Sequence, residues 1–330
     1  MASLWVVGEV NADGSLARLS TEVATMARGL AEAGGGSATG IVVAADPAPA
    51  AKELATYLPR VITITEPAAA EHTWATVAAE RIAALVSGAG KDVPGQILIG
   101  AGPDGRDAAG VLSALLGWGV LVNATSVAWK DGPVVDMSVF GGKLLTSSGF
   151  TGEHGIVTIR PNVVSAEPLS KPGTVEVAPA SATAEPLKLP QVAVLERVAE
   201  AGAAVPIEEA RVIVAGGRGV GGKDGFELVE EIATELGGAV GATRAAVDSG
   251  WIPYAQQIGQ TGKIVKPKLY LALGISGAIQ HKVGMQTAET IIAVNRDPDA
   301  PIADFADLLV VGDLFDVGRA LLAELRARGG

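Results

Sequence analysis

The chain has no cysteine among its 330 residues. Without a thiol it can form no disulfide, offer no thiolate to a metal ion and use no cysteine as a nucleophile. An iron–sulfur cluster held by cysteines is excluded for the same reason. Histidine is scarce too, since the sequence contains only His72, His154 and His281. The absence of cysteine fits a protein of a reducing compartment.

Basic residues are outnumbered by acidic ones. The 25 lysines and arginines face 36 aspartates and glutamates, which gives a formal net charge of -11. DNA and anionic lipid surfaces bind proteins through a basic footprint that releases counterions. We therefore expect no nucleic-acid partner.

Long apolar runs are also missing. No stretch of the sequence reaches the roughly 18 to 20 apolar residues that a membrane helix needs. The amino terminus, MASLWVVGEV, runs almost at once into an apolar strand, with neither a signal peptide nor an Arg-rich presequence. These features predict a soluble, cytoplasmic protein without membrane insertion.

What the sequence does contain is an alternation of short runs rich in valine and isoleucine with alanine-rich helical stretches. This rhythm predicts a parallel sheet covered by helices on both faces. Residues 20–33 illustrate it, because apolar residues recur there at three- and four-residue spacing and Gly34 follows as a stop signal. After Val122 the segments VAWKDGPVVDMSVFGGKLLTSSGF and GIVTIR alternate like strands joined by glycine turns. They indicate an antiparallel edge or small subsheet.

A proline-rich stretch divides the chain. Residues 165–190 carry Pro168, Pro172, Pro179, Pro186 and Pro190 among small and charged residues, a composition that resists helix and central strand. We expect an amino-terminal α/β domain with an antiparallel extension and a Pro-rich linker over residues 1–190. A second α/β domain, doubly wound, is expected over residues 191–330. Each domain is predicted to be a mostly parallel sheet with flanking helices.

The first chemical motif is the run Gly217 to Gly222, which matches G-x-G-x-x-G between a predicted strand and a predicted helix. Its glycines would let backbone amides approach a pyrophosphate, with Arg218 adding charge, although a tight strand-to-helix turn needs the same residues. The next strand ends in Thr243 and Arg244 rather than in the acid that NAD sites use for the ribose. This mismatch disfavours NAD but leaves NADP open.

Further polar clusters follow later strands. The loop Ile258-Gly259-Gln260-Thr261 suits hydrogen bonding to a polyol or ring edge, or is an ordinary exposed turn. The segment Gly274-Ile275-Ser276-Gly277-Ala278-Ile279-Gln280-His281 comes directly after another strand, and His281 is either a site residue or an ordinary helix-face histidine. Asn295 and Asp313, each after a strand, are either ligands or helix caps. Open α/β sheets bind ligands at this carboxyl edge, so the loops could converge on one crevice.

Residues 210–320 resemble the alpha subunit of electron-transfer flavoprotein. The resemblance rests on VAGGRGVGG, GATRAAVDSGW, IGQTGKIVKP and the run LYLALGISGAIQHKVGMQTAETIIAVNRDPDAPIADFADLLVVGDLF. It implies that FAD lies along the second domain, in contact with Arg218, Thr243, Arg244, Ile258, Gly259, Gln260, Thr261, Ser276, Gly277, Ala278, Ile279, Gln280, His281, Asn295, Asp313 and Leu314. It also implies that Arg244, Thr261 and His281 lie near the flavin ring.

The resemblance implies an electron carrier without substrate turnover of its own. Such a protein accepts electrons from acyl-CoA dehydrogenases of fatty acid β-oxidation and related flavoenzymes, and passes them to a quinone oxidoreductase. The family is a heterodimer whose beta subunit buries an AMP, so a partner subunit is expected here. Some members bifurcate electrons instead, and an NADP-dependent oxidoreductase is a more remote alternative. We find no acid–base pair of the kind that a dehydrogenase of a hydroxy acid or thioester needs.

Overall fold

A computed structural model describes residues 2–139, 144–196 and 207–328. The chain separates into two compact units, Met1–Val198 and Ala199–Gly330. The predicted domain boundary at residue 190 precedes this division. The backbone carbonyl of Val192 accepts a hydrogen bond from Thr73, and the amide of Val194 donates one to Glu71, so the segment after residue 190 still pairs with the first unit.

The first unit is built on a nine-stranded sheet of order β7-β6-β5-β8-β4-β1-β2-β3-β9. Its strands are β1 (Ser3–Gly8), β2 (Ser37–Ala44), β3 (Arg60–Thr65), β4 (Gln96–Gly100), β5 (Gly119–Trp129), β6 (Pro133–Val139), β7 (Leu144–Ser148), β8 (Gly155–Ile159) and β9 (Thr174–Val177). Its helices are α1 (Arg18–Ala33), α2 (Ala48–Leu54), α3 (Ala68–Glu71), α4 (Trp74–Gly88) and α5 (Pro103–Leu116). The α/β class and the mostly parallel sheet are confirmed.

Helix α1 shows how the pattern becomes packing. Leu19, Val23, Ala27 and Leu30 are buried in one core cluster beneath the sheet, because residues spaced by three or four share one helical face. The helix ends at Ala33, and the amide of Gly34 donates to the carbonyl of Leu30. The opposite face of the sheet carries a second cluster formed with α4 and α5.

The antiparallel extension is narrower than predicted. Strands β5, β6 and β7 are paired antiparallel, as expected from the glycine-joined segments. The segment GIVTIR instead forms β8, which lies parallel between β4 and β5. All residues of β8 are buried. A continuous apolar run is typical of a strand covered on both faces, and this explains why GIVTIR belongs to the parallel part.

The proline-rich stretch forms little regular structure. It contributes β9, which pairs with β3 at the edge of the sheet, where a strand needs partners on one side only. Further along, the carboxylate of Glu80 on α4 accepts hydrogen bonds from the backbone amides of Lys188 and Leu189 and from the side chain of Gln191. This carboxylate fixes the segment on the first unit.

The second unit is a five-stranded, all-parallel sheet of order β11-β10-β12-β13-β14. Its strands are β10 (Val212–Gly216), β11 (Ala239–Ala242), β12 (Leu269–Leu273), β13 (Thr290–Asn295) and β14 (Leu308–Val311). Its helices are α6 (Phe226–Glu235), α7 (Arg244–Asp248), α8 (Ile279–Met285) and α9 (Leu314–Arg328).

The sheet of the second unit is covered on both faces. Alternate residues of β10 and β12 point to two separate clusters, one containing Met285 of α8 and the other Phe226 of α6 and Leu322 of α9. The unit is therefore doubly wound, as predicted. The chain moves from β10 to β11 on one side and then returns to β12 on the other, so the strand order reverses between β10 and β12. Ligands of such sheets bind in the crevice at this reversal. Among the described residues, no helix is both long and apolar enough to span a membrane.

Candidate functional site

A cavity of about 630 Å³ opens at the carboxyl edge of the second sheet. This volume falls within the range of about 300 to 1,000 Å³ that holds small ligands and cofactors. The cavity is lined from four strand ends, by Arg218, Gly219, Thr243, Arg244, Ala245, Asp248, Ile258, Gly259, Gln260, Thr261, Gly274, Ile275, Ser276, Gly277, Ala278, Gln280, His281 and Asn295. The predicted convergence of the loops on one crevice is therefore what the structure shows.

The glycine motif brings two strand ends into direct backbone contact. The amide of Gly217 donates to the carbonyl of Leu273 at 2.9 Å, and that of Gly219 donates to Gly274 at 3.0 Å. A Cβ atom on Gly217 would lie 2.3 Å from the carbonyl oxygen of Gly274. No side chain fits there, so the glycine is required by packing. The motif forms the floor of the cavity, where a backbone free of side chains can approach a ligand closely.

The end of β11 supplies a hydroxyl and a cation. Thr243 lines the cavity, and its Oγ1 atom is buried without a hydrogen-bond partner among the described residues. Buried polar atoms are normally paired, so an unpaired one in a cavity indicates a position that a ligand atom satisfies. Arg244 begins α7, and its Nε atom lies 3.2 Å from a carboxylate oxygen of Asp248. Both side chains are exposed, at 67% and 61%.

The loop after Ile258 is held in place by its own hydrogen bonds. The hydroxyl of Tyr254 donates to the carbonyl of Thr261 at 2.6 Å, and Nε2 of Gln257 donates to the Thr261 hydroxyl oxygen at 3.1 Å. The amide of Gln260 donates to the carbonyl of Gln280 at 2.8 Å, which ties this loop to the next strand end. Because Gln257 donates to it, the Thr261 hydroxyl keeps its own proton for another acceptor.

His281 lies at the inner wall of the cavity and is 6% exposed. Its Nδ1 atom is 3.0 Å from the carbonyl oxygen of Ile258, and its Nε2 atom is 2.8 Å from the hydroxyl of Tyr270. Burial lowers the pKa of His281 to about 4, against an opposing effect of the Ile258 carbonyl. The ring is therefore neutral at pH 7. Its two nitrogens have protein partners. The position of His281 near a flavin ring stays a prediction.

The structure brings most of the predicted residues to the cavity. Ile279, Asp313 and Leu314 do not line it. Asp313 caps α9, accepting from the amides of Phe315 and Asp316, and pairs with Arg296, whereas Leu314 is buried in the core. Asn295 lines the cavity and is also a turn residue, since its Oδ1 atom accepts from the amide of Asp297. The cofactor contacts predicted for Ile279, Asp313 and Leu314 stay predictions.

Several lining residues were missed. Gly219, Gly274 and Ile275 belong to the quoted segments but were not singled out as contacts, and Ala245 adjoins a predicted residue. Asp248 is the consequential omission, because it brings a negative charge beside Arg244. The spacing of four residues between an arginine and an aspartate on a helix is a known ion-pair signal and could have identified it.

Two family models match the chain. Residues 4–185 match the electron transfer flavoprotein domain, and residues 206–286 match the electron transfer flavoprotein FAD-binding domain. The second match covers most of the cavity-lining residues. The prediction of FAD as the cofactor is confirmed by this domain match.

Similar proteins cover the chain from end to end. An electron transfer flavoprotein subunit alpha of Mycobacterium leprae is 41% identical over 100% of both chains. A protein of the same description from Bacillus subtilis is 36% identical, over 97% of this chain and 96% of its own. Another, from Thermoanaerobacterium thermosaccharolyticum, is 35% identical, over 98% of this chain and 97% of its own. The domain matches and these identities, together with the cavity, show that the chain belongs to the alpha-subunit family of the electron transfer flavoproteins.

Proposed function

We propose that this chain is the FAD-holding subunit of a heterodimeric electron carrier. It accepts electrons from acyl-CoA dehydrogenases and similar flavoprotein dehydrogenases and passes them to a quinone oxidoreductase of the respiratory chain. It turns over no small substrate of its own and acts in the cytoplasm. Its partner is a beta subunit, which holds an AMP.

The observation that carries this proposal is the unpaired Thr243 hydroxyl inside the cavity. A cavity prepared for a polar ligand leaves such an atom without a protein partner, and the glycine floor beside it lets a ligand approach the backbone closely. Arg218 adds a cation, and no other described residue pairs with its guanidinium through a side-chain contact. The residues present thus fit a long, anionic dinucleotide.

The cavity residues divide into holding and tuning groups. The charge of Arg218 suits the pyrophosphate, and the Thr243 hydroxyl is an additional polar contact. Arg244 and the proton of Thr261 suit the ring edge, where reduction brings negative charge. FAD supplies the redox chemistry when bound. The chain holds and orients it and sets the charge around it.

The composition of the cavity also supports a carrier. Asp248 is the only carboxylate among the described residues that line it, and it is paired with Arg244. His281 is the only lining imidazole, and both of its nitrogens have partners. A dehydrogenase of a hydroxy acid or thioester needs a base within reach of the substrate. Neither group is available for that role.

The test is coexpression of this chain with its beta subunit, followed by the visible spectrum and by denaturation. We expect a yellow complex that bleaches with dithionite and releases one FAD per heterodimer, identified by chromatography against FMN and NADP standards. AMP should appear only in preparations that contain the beta subunit. Release of FMN, or a colourless complex after reconstitution with FAD, contradicts the proposal.

The carrier role is tested separately. An acyl-CoA dehydrogenase and its substrate are mixed with the yellow complex in the absence of oxygen. We expect bleaching of the flavin only when both are present, because the carrier has no substrate of its own. Bleaching by the acyl-CoA alone would make the protein an enzyme.

A further inference from the structure

The loop between Gln257 and Lys263 closes on itself beside the cavity. The amide of Lys263 donates to the carbonyl of Gln257 at 2.7 Å, and the amide of Gly262 donates to the carbonyl of Gly259 at 3.1 Å. A Cβ atom on Gly262 would lie 2.3 Å from the Gln257 carbonyl oxygen, so the turn has no room for a side chain at that position. Thr261 lies within this turn and lines the cavity. The backbone of the turn therefore fixes where Thr261 lies.

The side chain of Gln257 acts on Thr261 from behind the cavity. Gln257 is 2% exposed and is not part of the lining. Its Nε2 atom lies 3.1 Å from the Oγ1 atom of Thr261. An amide nitrogen only donates, so the hydroxyl oxygen is the acceptor in this bond and its single proton points elsewhere. Among the described residues none accepts that proton, which is left for the cavity.

We propose that Gln257 is a positioning residue of the flavin site, which holds the Thr261 hydroxyl as a hydrogen-bond donor towards the flavin ring. The inference rests on the proposed function, in which Thr261 faces the ring edge. A threonine hydroxyl without a partner rotates freely and can donate or accept. The Gln257 amide removes this freedom. A donor at the ring edge stabilises the negative charge that reduction brings, so Gln257 raises the potential of a flavin that it does not touch.

A second hydrogen bond to Thr261 provides a matched control. The hydroxyl of Tyr254 donates to the backbone carbonyl of Thr261 at 2.6 Å, and Tyr254 also lies outside the lining. This bond steadies the turn but does not involve the Thr261 hydroxyl. The same loop thus offers one residue that directs the hydroxyl and one that only supports the backbone.

The first test is a redox titration of the flavin-loaded complex in a double-mutant cycle. Thr261→Val should lower the ratio of reduced to oxidised flavin about fivefold, or about 40 mV for one electron, because one hydrogen-bond donor is lost. Gln257→Met, which has no N–H to donate, should lower the potential by a smaller amount, and should add nothing when combined with Thr261→Val. Tyr254→Phe should have the same effect with and without Thr261→Val. A Gln257→Met shift that is equally large in both backgrounds overturns the proposal.

The second test keeps the hydroxyl and needs no change at Gln257. Thr261→Ser should match the wild-type potential, because Gln257 still directs the serine hydroxyl. A potential that falls as far as in Thr261→Val overturns the proposal even if Gln257→Met does not fold. A complex that contains flavin but whose potential is unchanged in Thr261→Val also overturns it, since the hydroxyl then does not reach the ring. A wild-type complex without flavin contradicts the proposed function instead, so the two failures are distinguishable.

Discussion

The ion pair between Arg244 and Asp248 is where a single charge should have the clearest effect. The arginine carries the positive charge expected at the flavin ring edge, and the aspartate lies 3.2 Å from it on the same short helix. Two opposite charges this close partly cancel each other's field. We therefore expect opposite results from removing each one. Arg244→Ala should lower the midpoint potential of the flavin, and Asp248→Asn should raise it.

The size of the effect follows from Coulomb's law. Two unit charges about 4 Å apart interact by about 1 kcal/mol in water and about 4 kcal/mol at an effective dielectric constant of 20. Arg244 is 67% exposed in this chain, so the lower figure is the appropriate one. Since about 1.4 kcal/mol corresponds to roughly 59 mV for one electron, Arg244→Ala should lower the potential by tens of millivolts. Asp248→Asn should have a smaller effect, because the aspartate acts by weakening the arginine's field.

The assay is a redox titration of the flavin-loaded complex, followed by its visible spectrum. Arg326→Ala is a suitable control, because Arg326 is a comparably exposed arginine paired with Glu231 and lies outside the cavity lining. The double variant Arg244→Ala/Asp248→Asn should fall between the single ones. A potential that is unchanged in Arg244→Ala, or that falls in Asp248→Asn, would refute this reasoning.

Four further predictions concern binding and stability. Thr243→Val should weaken FAD binding by about 1 kcal/mol, roughly fivefold, without lowering the unfolding temperature of the flavin-free complex, because its hydroxyl has no partner among the residues that the structure describes. A lower unfolding temperature would mean that the hydroxyl is structural. Gly217→Ala should lose flavin, since its Cβ would lie 2.3 Å from the carbonyl oxygen of Gly274. Gly222→Ala is the control and should keep flavin, because no atom lies within 4 Å of the added Cβ. Equal flavin content in both variants would contradict the role of the glycine floor. Burial lowers the pKa of His281 to about 4 from a usual 6.5, so the folded state binds fewer protons than the unfolded state between these values. The free energy of unfolding should therefore fall as the pH falls from 6.5 towards 4, and in urea unfolding His281→Asn should lose less of it than wild type. Equal losses in both proteins would show that the histidine is not buried in its neutral form. Finally, we expect the chain expressed alone to be poorly soluble or flavin-poor, since the resemblance implies that the proposed beta subunit covers an apolar surface that is otherwise left in water. Coexpression with the beta subunit should rescue it, and sedimentation that shows a monodisperse, flavin-loaded monomer would contradict this.

The sequence predicts the fold of the second unit well because its signals are local. Each strand is a short apolar run, and α6 follows the glycine motif where the sequence predicts a helix. The carboxyl ends of parallel strands meet at one edge, so the loops that follow them converge whatever their side chains are. This is why a list of polar residues after successive strands predicts most of a cavity. The segment GIVTIR was assigned to the antiparallel part because it follows the glycine-joined segments in the sequence, although its continuous apolar run is typical of a buried parallel strand.

The contacts between individual residues of the site could not be predicted from the sequence in this way. That Tyr270 faces His281, and that the Ile258 carbonyl meets the other side of the ring, depends on how three loops pack. Sequence spacing gives no register between a strand residue and a helix residue eleven positions later. The sequence therefore places His281 at the cavity but does not predict its two protein partners, because these belong to tertiary structure.

The site separates holding from tuning in a way that makes its variants interpretable. Its shape comes from buried backbone, where Gly217 and Gly274 touch and no side chain can be added. Its charge comes from exposed side chains, such as Arg244, that can be changed without disturbing that contact. Changes in the glycine floor should thus alter whether flavin is held, and changes in the exposed charges should alter its potential at nearly constant flavin content. His281 lies between these two groups, because it lines the cavity but is buried like the floor, so its replacement should affect stability as well as flavin.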